Sequence, residues 1–306
     1  MPRCARIKSF DSIYHIMVKS VGGTLLFRCD DDKERYLQTI KRYQENFKFK
    51  VYAYCLMDNH GHIIIDACGA DISKIMHGIN QSYAQYYNRK YERAGHLFAD
   101  RFKSKIVDSD RYLVTLSGYI HNNPSDIDGY KNNVHKYRYS SLGIYLGIRK
   151  DSLALVDAAF VMQQFSRDVK NARMDYLKFV QSCDKDELKR VIAFKEEKAE
   201  YRSERNIIVR NVEPEKVIDF VSKYTNEDGS SVKLKHVKNV KALKSLCAFL
   251  MRGLCDMRQK DICFVMGNIT QSYASKLCFE GYMLTKQKDD YRNIIMDFLK
   301  EYAASY

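Results

Sequence analysis

Two histidines, a tyrosine and an asparagine provide the residue types needed for metal-assisted attack on a phosphodiester. His60 and His62 are two positions apart, so in a β-strand both imidazoles point to one face and can bind one divalent ion. Tyr119 and Asn123 are four positions apart, so in a helix they share a face. Imidazole nitrogens with an amide oxygen suit Mg²⁺ or Mn²⁺. The spacing predicts that Asn123 completes the metal site and that Tyr119 attacks the phosphate.

The His-Gly-His triplet also fits a second interpretation, the polar end of a β-hairpin. Eight histidines in 306 residues give roughly 0.2 chance matches to His-x-His, so the triplet alone decides little. The surrounding sequence favours the metal-ligand interpretation.

Several phrases in fixed order resemble the REP-associated tyrosine transposases, single-tyrosine members of the HUH endonucleases. The resemblance extends from Met1 to about Gly147. The matching phrases are Met1–Arg3 with Arg6, Tyr14–His15, Tyr54–His62, Asn88–Tyr91, Gly95–Phe98, Arg101–Ser104, Tyr119–Pro124 and Tyr139–Ser141.

The resemblance implies His60, His62 and Asn123 as metal ligands and Tyr119 as the nucleophile. It further implies single-stranded hairpin DNA as substrate, a covalent 5′-phosphotyrosine intermediate and a homodimer. One position departs from the family pattern, because Gly61 stands where a bulky apolar residue is usual. Glycine weakens a strand and removes a packing side chain, which predicts a looser ligand geometry.

Composition indicates a globular protein whose charge suits a polyanionic partner, the alternative being a soluble protein that is merely basic. Lysine plus arginine outnumber aspartate plus glutamate by 51 to 38, which gives a net charge of +13. Nine cysteines without a Cys-x-x-Cys pair argue against a disulfide framework or a zinc cage. No secretory signal or membrane-spanning stretch is recognised, so we expect a cytoplasmic protein.

Hydrophobic patterning predicts an α+β domain followed by an all-α domain. We predict strands at 13–18, 51–57, 60–66 and 102–107 and helices at 31–47, from Ile72 to Tyr87, and at 110–122. This order is the split βαβ, ferredoxin-like plan, an antiparallel sheet with helices on one face. The predicted domains are 1–150 for the transposase domain, 151–210 for a helical connector and charged linker, and 211–306 for a helical DNA-binding domain.

Basic and aromatic residues in the first domain have two interpretations each. Arg3, Arg6, Arg101 and Lys103, with Lys105, are predicted to contact DNA phosphates, the alternative being a solvated basic edge. Tyr83, Tyr86 and Tyr87 could stack on bases, but their helical spacing favours the core.

Past Gly147 the chain is predicted to be helical. The expected helices are 153–179, one opened by Pro214, 239–254, 259–266 and 270–280. The last two, joined by Gly267–Ile269, outline a helix-turn-helix that resembles the carboxy-terminal domain of bacterial replication initiators. Duplex-contacting residues are then predicted to be Gln271, Ser272, Ser275 and Lys276. A helical bundle used for packing or dimerisation is the alternative.

Taken together, the sequence predicts a transposase or strand transferase that nicks hairpin DNA. A non-catalytic DNA-binding regulator on the same scaffold is the main alternative. An RNA-binding module is a third, because the split βαβ plan is shared with RNA-recognition sheets.

Overall fold

The computed structural model describes residues 12–183, 208, 210, 212–234 and 240–303. The chain divides into two compact units, Met1–Gln44 with Phe49–Asn206 and Glu45–Lys48 with Ile207–Tyr306. Arg3, Arg6 and nearly all of the charge-dense segment 183–205 lie outside the described residues.

A four-stranded antiparallel sheet organises the first unit. Its strands are β1 (Ile13–Lys19), β2 (Lys50–Leu56), β3 (His60–Asp66) and β4 (Lys103–Val107), in the order β2-β3-β1-β4. Helices α1 (Asp30–Phe47) and α2 (Ile72–Lys90) complete the predicted β-α-β-β-α-β order, and α3 (Asp110–Asn122) follows β4.

The tyrosines of α2 show how the apolar face of this helix is used. Tyr83 and Tyr87 are fully buried, and their hydroxyls donate hydrogen bonds to the carbonyls of Leu26 and Leu25 at 2.7 Å. Both residues therefore belong to the core, and the base-stacking interpretation is wrong for them. Tyr86 is only half-buried.

Strand β3 is buried on both of its faces. Every residue of the strand after His60 is buried, including the run from Ile63 to Ile65. Helix α3 lies over the face that carries His62. The sequence analysis predicted helices on one face of the sheet. The continuous apolar run of β3 is instead typical of strands that are buried on both faces.

Helix α3 begins and ends where its sequence predicts. The Ser109 side chain accepts a hydrogen bond from the backbone N–H of Tyr112 and caps the amino terminus. Pro124 ends the helix and lies in a 3-10 turn, Asn123–Asp126. Further 3-10 turns are Val134–Lys136, Gly229–Lys233 and Asp289–Tyr291.

The segment after Gly147 is less helical than predicted. In the described residues from Gly147 to Cys183, the helices that follow the short α4 (Leu142–Tyr145) are α5 (Ala159–Met162) and α6 (Val169–Ser182). The expected helix over 153–179 is therefore wrong in its first part. The Asp151 carboxylate accepts the backbone N–H groups of Leu155 and Val156, which holds this stretch in a non-helical conformation.

Helix α6 packs against α3 within the first unit. A Cβ added at Gly118 would lie 2.6 Å from Cε1 of Phe179, so the two helices approach closely there. Buried His121 hydrogen-bonds through Nδ1 to the Tyr176 hydroxyl at 2.7 Å and through Nε2 to Ser141 at 2.6 Å. These bonds give His121 a structural role, because they join α3 to α6 and to Ser141.

The second unit is helical in its described residues. It contains α7 (Pro214–Thr225), α8 (Lys241–Leu254), α9 (Gln259–Val265), α10 (Gln271–Gln287) and α11 (Ile294–Ala303). Helix α8 is buried along nearly its whole length, and a Cβ at Gly281 of α10 would lie 2.3 Å from the carbonyl oxygen of Ser245. Helix α10 is longer than predicted, and α11 had no counterpart in the sequence analysis.

No described helix combines the length and the apolar character needed to cross a membrane.

Candidate active site

His60 and His62 project from the same face of β3. In the β1–β3 register, His60 lies opposite Lys19 and His62 lies opposite Met17. The two imidazole centroids are 5.2 Å apart, with the rings nearly perpendicular. This separation is compatible with both rings binding one ion.

The Nδ1 atom of each imidazole already has a hydrogen-bond partner. His60 Nδ1 lies 2.6 Å from Oδ1 of Asn59, and His62 Nδ1 lies 2.9 Å from Nε2 of His15. The Asn59 carbonyl oxygen only accepts, so a neutral His60 carries its proton on Nδ1 and its lone pair on Nε2.

His62 and His15 are neutral at physiological pH. Burial, followed by the charges of His15 and His60, lowers the pKa of His62 well below its ordinary value. Burial and the charge of Lys105 lower the pKa of His15 to about 3. Because a metal ligand must offer a lone pair, a neutral His62 avoids competition from protons.

Tyr119 of helix α3 lies over His62. Its ring centroid is 5.8 Å from that of His62, with the planes at 81°. The side chain is half-buried, whereas His62 is only 4% exposed. The structure thus brings the predicted nucleophile beside one predicted ligand.

Asn123 lies one turn beyond Tyr119, at the end of the same helix. Its Nδ2 donates to the carbonyl oxygens of Tyr119 at 2.9 Å and Ile120 at 3.4 Å. With the nitrogen directed at the helix carbonyls, the amide oxygen is the atom suited to bind a cation.

These donors fit a hard divalent cation. Two imidazole nitrogens with one amide oxygen leave positions for water and phosphate oxygens, as Mg²⁺ and Mn²⁺ prefer. Among the described residues, no group of three or more His, Cys, Asp or Glu side chains is arranged to hold a metal. The predicted set of His60, His62 and Asn123 contains only two such side chains, because its third donor is an amide oxygen.

The sheet face of the histidines also carries lysines. Lys103 of β4 lies opposite Met17, in line with His62, and Lys105 lies opposite His15. Lys103 and Lys19 are exposed, as is Arg101 before the strand. Arg3 and Arg6 lie outside the described residues.

The predicted duplex-contacting residues lie at the start of α10. Gln271, Ser272, Ser275 and Lys276 are all exposed. Thr270 caps the helix by accepting from the N–H of Tyr273, after a turn in which Gly267 and Asn268 have φ of 82° and 59°. The outline of two helices joined by a turn is therefore present, with these side chains on its surface.

Sequence reasoning missed the hydrogen-bond partners and one lysine. His15 and Asn59 were given no role in metal binding, although each contacts a predicted ligand. Lys19 was also missed, and its position two residues beyond Met17 on the same strand face was the available signal. The register that brings His15 to His62 is not readable from local sequence.

Comparison with known protein families gives a match within the first unit. Residues 8–123 match the model of the IS200-like transposases. The matched segment includes all four strands and ends at Asn123, so it contains every predicted residue of the metal and tyrosine site.

A solved structure described as a REP-associated tyrosine transposase bound to a REP hairpin is similar at low identity. The sequences are 15% identical, the TM-score is 0.41, and the alignment covers 55% of this chain and 93% of that chain. No curated protein sequence matches the chain.

Proposed function

We propose that the first unit is a metal-dependent DNA transposase domain that nicks single-stranded hairpin DNA through Tyr119. The observation that carries this proposal is the contact of the Tyr119 ring with His62, on the sheet face shared by His60. The IS200-like match over residues 8–123 supports it.

Tyr119 is the nucleophile in the proposed reaction. Its phenolic oxygen forms a bond to phosphorus and loses its proton, while the bond from phosphorus to the 3′ oxygen breaks. The released oxygen takes up a proton and becomes a free 3′-hydroxyl. The 5′-phosphotyrosine conserves the phosphodiester energy, so a second strand end can displace Tyr119 and complete strand transfer.

The residues around Tyr119 divide the remaining tasks. Bound through His60, His62 and Asn123, Mg²⁺ or Mn²⁺ would supply Lewis-acid polarisation of the scissile phosphate. Lys19 and Lys103 lie on the same sheet face and would contact neighbouring phosphates. Helix α3 fixes Tyr119 relative to Asn123, since Tyr119 lies in its last turn and Asn123 is its C-cap residue.

Covalent trapping tests the proposal. The purified chain is incubated with labelled single-stranded hairpins from the flanks of its gene, with Mn²⁺ or EDTA, and analysed on denaturing gels. We expect a metal-dependent protein–DNA adduct that Tyr119→Phe abolishes. Tyr112→Phe is the matched control, because it removes a hydroxyl from the same helix and should leave the adduct intact.

Three further measurements separate this proposal from its alternatives. Asn123→Ala should reduce cleavage more than hairpin binding if its oxygen holds the metal. Tight hairpin binding without an adduct would instead favour a regulator on the same scaffold. Preference for RNA hairpins in competition would favour an RNA-binding module.

For the second unit we propose duplex DNA binding through the start of α10. Support comes from the exposure of Gln271, Ser272, Ser275 and Lys276 on a capped helix that follows a tight turn. Lys276→Ala should weaken duplex binding across sequences and lower the salt slope of log affinity by about 0.9. Lys300→Ala, an exposed lysine of α11, is the control and should change neither quantity. Equal effects of the two substitutions would contradict a specific role for α10.

A further inference from the structure

We propose that His15 is a positioning residue that fixes the tautomer of His62 and so presents the Nε2 lone pair of His62 to the metal. This inference deepens the proposed function and rests on it for its purpose, although the tautomer itself can be measured without metal or DNA. His15 would bind neither metal nor substrate.

The first support is the geometry of the two rings. His15 Nε2 lies 2.9 Å from His62 Nδ1, and the ring centroids are 5.1 Å apart. Ile64 lies opposite His15 in the strand register, so His15 reaches His62 diagonally across the β1–β3 pair. Both imidazoles are almost completely removed from solvent.

The second support is that the pair shares one proton in this hydrogen bond, and only one arrangement leaves His62 able to bind a metal. If His62 donates from Nδ1, its Nε2 carries a lone pair. If His15 donates instead, a neutral His62 must carry its proton on Nε2, and that nitrogen cannot bind a cation.

The third support is the parallel with His60. The partner of His60 Nδ1 is Oδ1, the side-chain carbonyl oxygen of Asn59, which lies 2.6 Å away and can only accept a hydrogen bond. The same nitrogen of both histidines is therefore held by a neighbour, and both rings would use Nε2 for the metal. A hydrogen-bond acceptor behind a ligating histidine typically fixes its tautomer and ring orientation.

The experiment compares three variants of the full chain. His15→Leu removes the acceptor, and His15→Gln retains one because the glutamine side chain can turn its carbonyl oxygen toward His62. Met17→Leu is the matched control, since Met17 lies opposite His62 on β3 and changes the adjoining packing without touching the hydrogen bond.

Two readouts are used on metal-free protein. Nitrogen-15 NMR above pH 7 reports which ring nitrogen of His62 carries the proton, with His62→Ala providing the assignment. Calorimetric titration with Mn²⁺ alone reports the affinity of the site.

We expect the His62 proton on Nδ1 in the unaltered chain, in His15→Gln and in Met17→Leu. His15→Leu should shift the proton population toward Nε2 and weaken Mn²⁺ binding by about 10- to 100-fold, while His15→Gln should restore most of the affinity.

Three outcomes would overturn the inference. They are a His62 proton on Nε2 in the unaltered chain, an unchanged tautomer and affinity in His15→Leu, or equal losses in His15→Gln and His15→Leu. If His15→Leu shifts the tautomer but no variant binds Mn²⁺ or forms an adduct, the positioning role stands and the proposed nuclease fails.

Discussion

Gly61 shows how one residue adapts the sheet beneath the candidate site. The resembled family usually has a bulky apolar residue at this position, and its absence predicted a looser geometry of the histidine ligands. In the structure Gly61 is buried, and a Cβ placed there would lie 3.0 Å from Cδ2 of Leu56 and 3.4 Å from Cγ2 of Val18. Neighbouring side chains therefore already occupy the space that a larger residue would fill.

Replacing Gly61 with leucine should consequently overpack this side of the sheet. We expect the free energy of unfolding of Gly61→Leu to fall by about 1–3 kcal/mol, because added methyl groups in a filled core force side chains off their preferred rotamers. Urea denaturation followed by circular dichroism measures this loss.

A double-mutant cycle with Leu56→Ala checks the cause. Leu56→Ala alone should cost about 2–5 kcal/mol through the cavity it leaves. If Gly61→Leu fills that cavity, the combined loss is smaller than the sum of the single losses. Strictly additive losses would show that the two side chains do not compete for the same space.

At the scale of elements, regular patterns in the sequence predicted strands and helices correctly. A segment whose backbone is held by side-chain contacts was not predicted correctly. The continuous apolar run in β3 and the helical spacing of Tyr83 and Tyr87 each reflect burial that a local window can reveal. The first part of the helix predicted over 153–179 was wrong because the Asp151 side chain holds the nearby backbone.

The candidate site was likewise predicted only in part from the sequence. The shared face of His60 and His62 follows from strand geometry, and that of Tyr119 and Asn123 follows from helix geometry. The partner His15 depends on which strands pair and in what register, and neither is encoded in local spacing.

His121 holds α3, the helix that carries Tyr119, in place. Its burial should make the folded state less stable in acid. Burial lowers the pKa of His121 to about 3, with a smaller effect from the charge of Arg149. Since the unfolded state then binds a proton that the folded state does not, stability is complete above the unfolded pKa near 6.5 and falls as the pH decreases toward 3.

We therefore expect His121→Gln to flatten the acid limb of the stability profile. Within that window one buried histidine contributes about 1.4 kcal/mol per pH unit, and the variant should lose that share of the slope. Urea titrations at several pH values measure the slope. His77→Gln is the control, because His77 is exposed on α2. An identical slope in His121→Gln and the unaltered chain would mean that His121 does not take up a proton on unfolding.

At the scale of the whole molecule, the net charge of +13 should promote DNA binding only through the basic residues that lie on the DNA-binding surface. The two edge strands of the sheet each carry an exposed lysine. Lys103 of β4 lies on the face of His62, whereas Lys50 begins β2 on the opposite edge and pairs with Asp157 at 3.2 Å. Replacing either Lys103 or Lys50 with alanine lowers the total charge by the same amount. The two variants therefore distinguish the effect of a lysine's position from the effect of the total charge.

Lys103→Ala should lower the salt slope of log hairpin affinity by about 0.7 if the lysine neutralises one phosphate of a single strand. Lys50→Ala should leave the slope unchanged. Fluorescence anisotropy of labelled hairpins over a range of salt concentrations measures both variants. Equal small decreases of the slope in both variants would mean that hairpin binding responds to the overall charge of the chain. That result would contradict the assignment of the sheet face of the histidines as the DNA-binding surface.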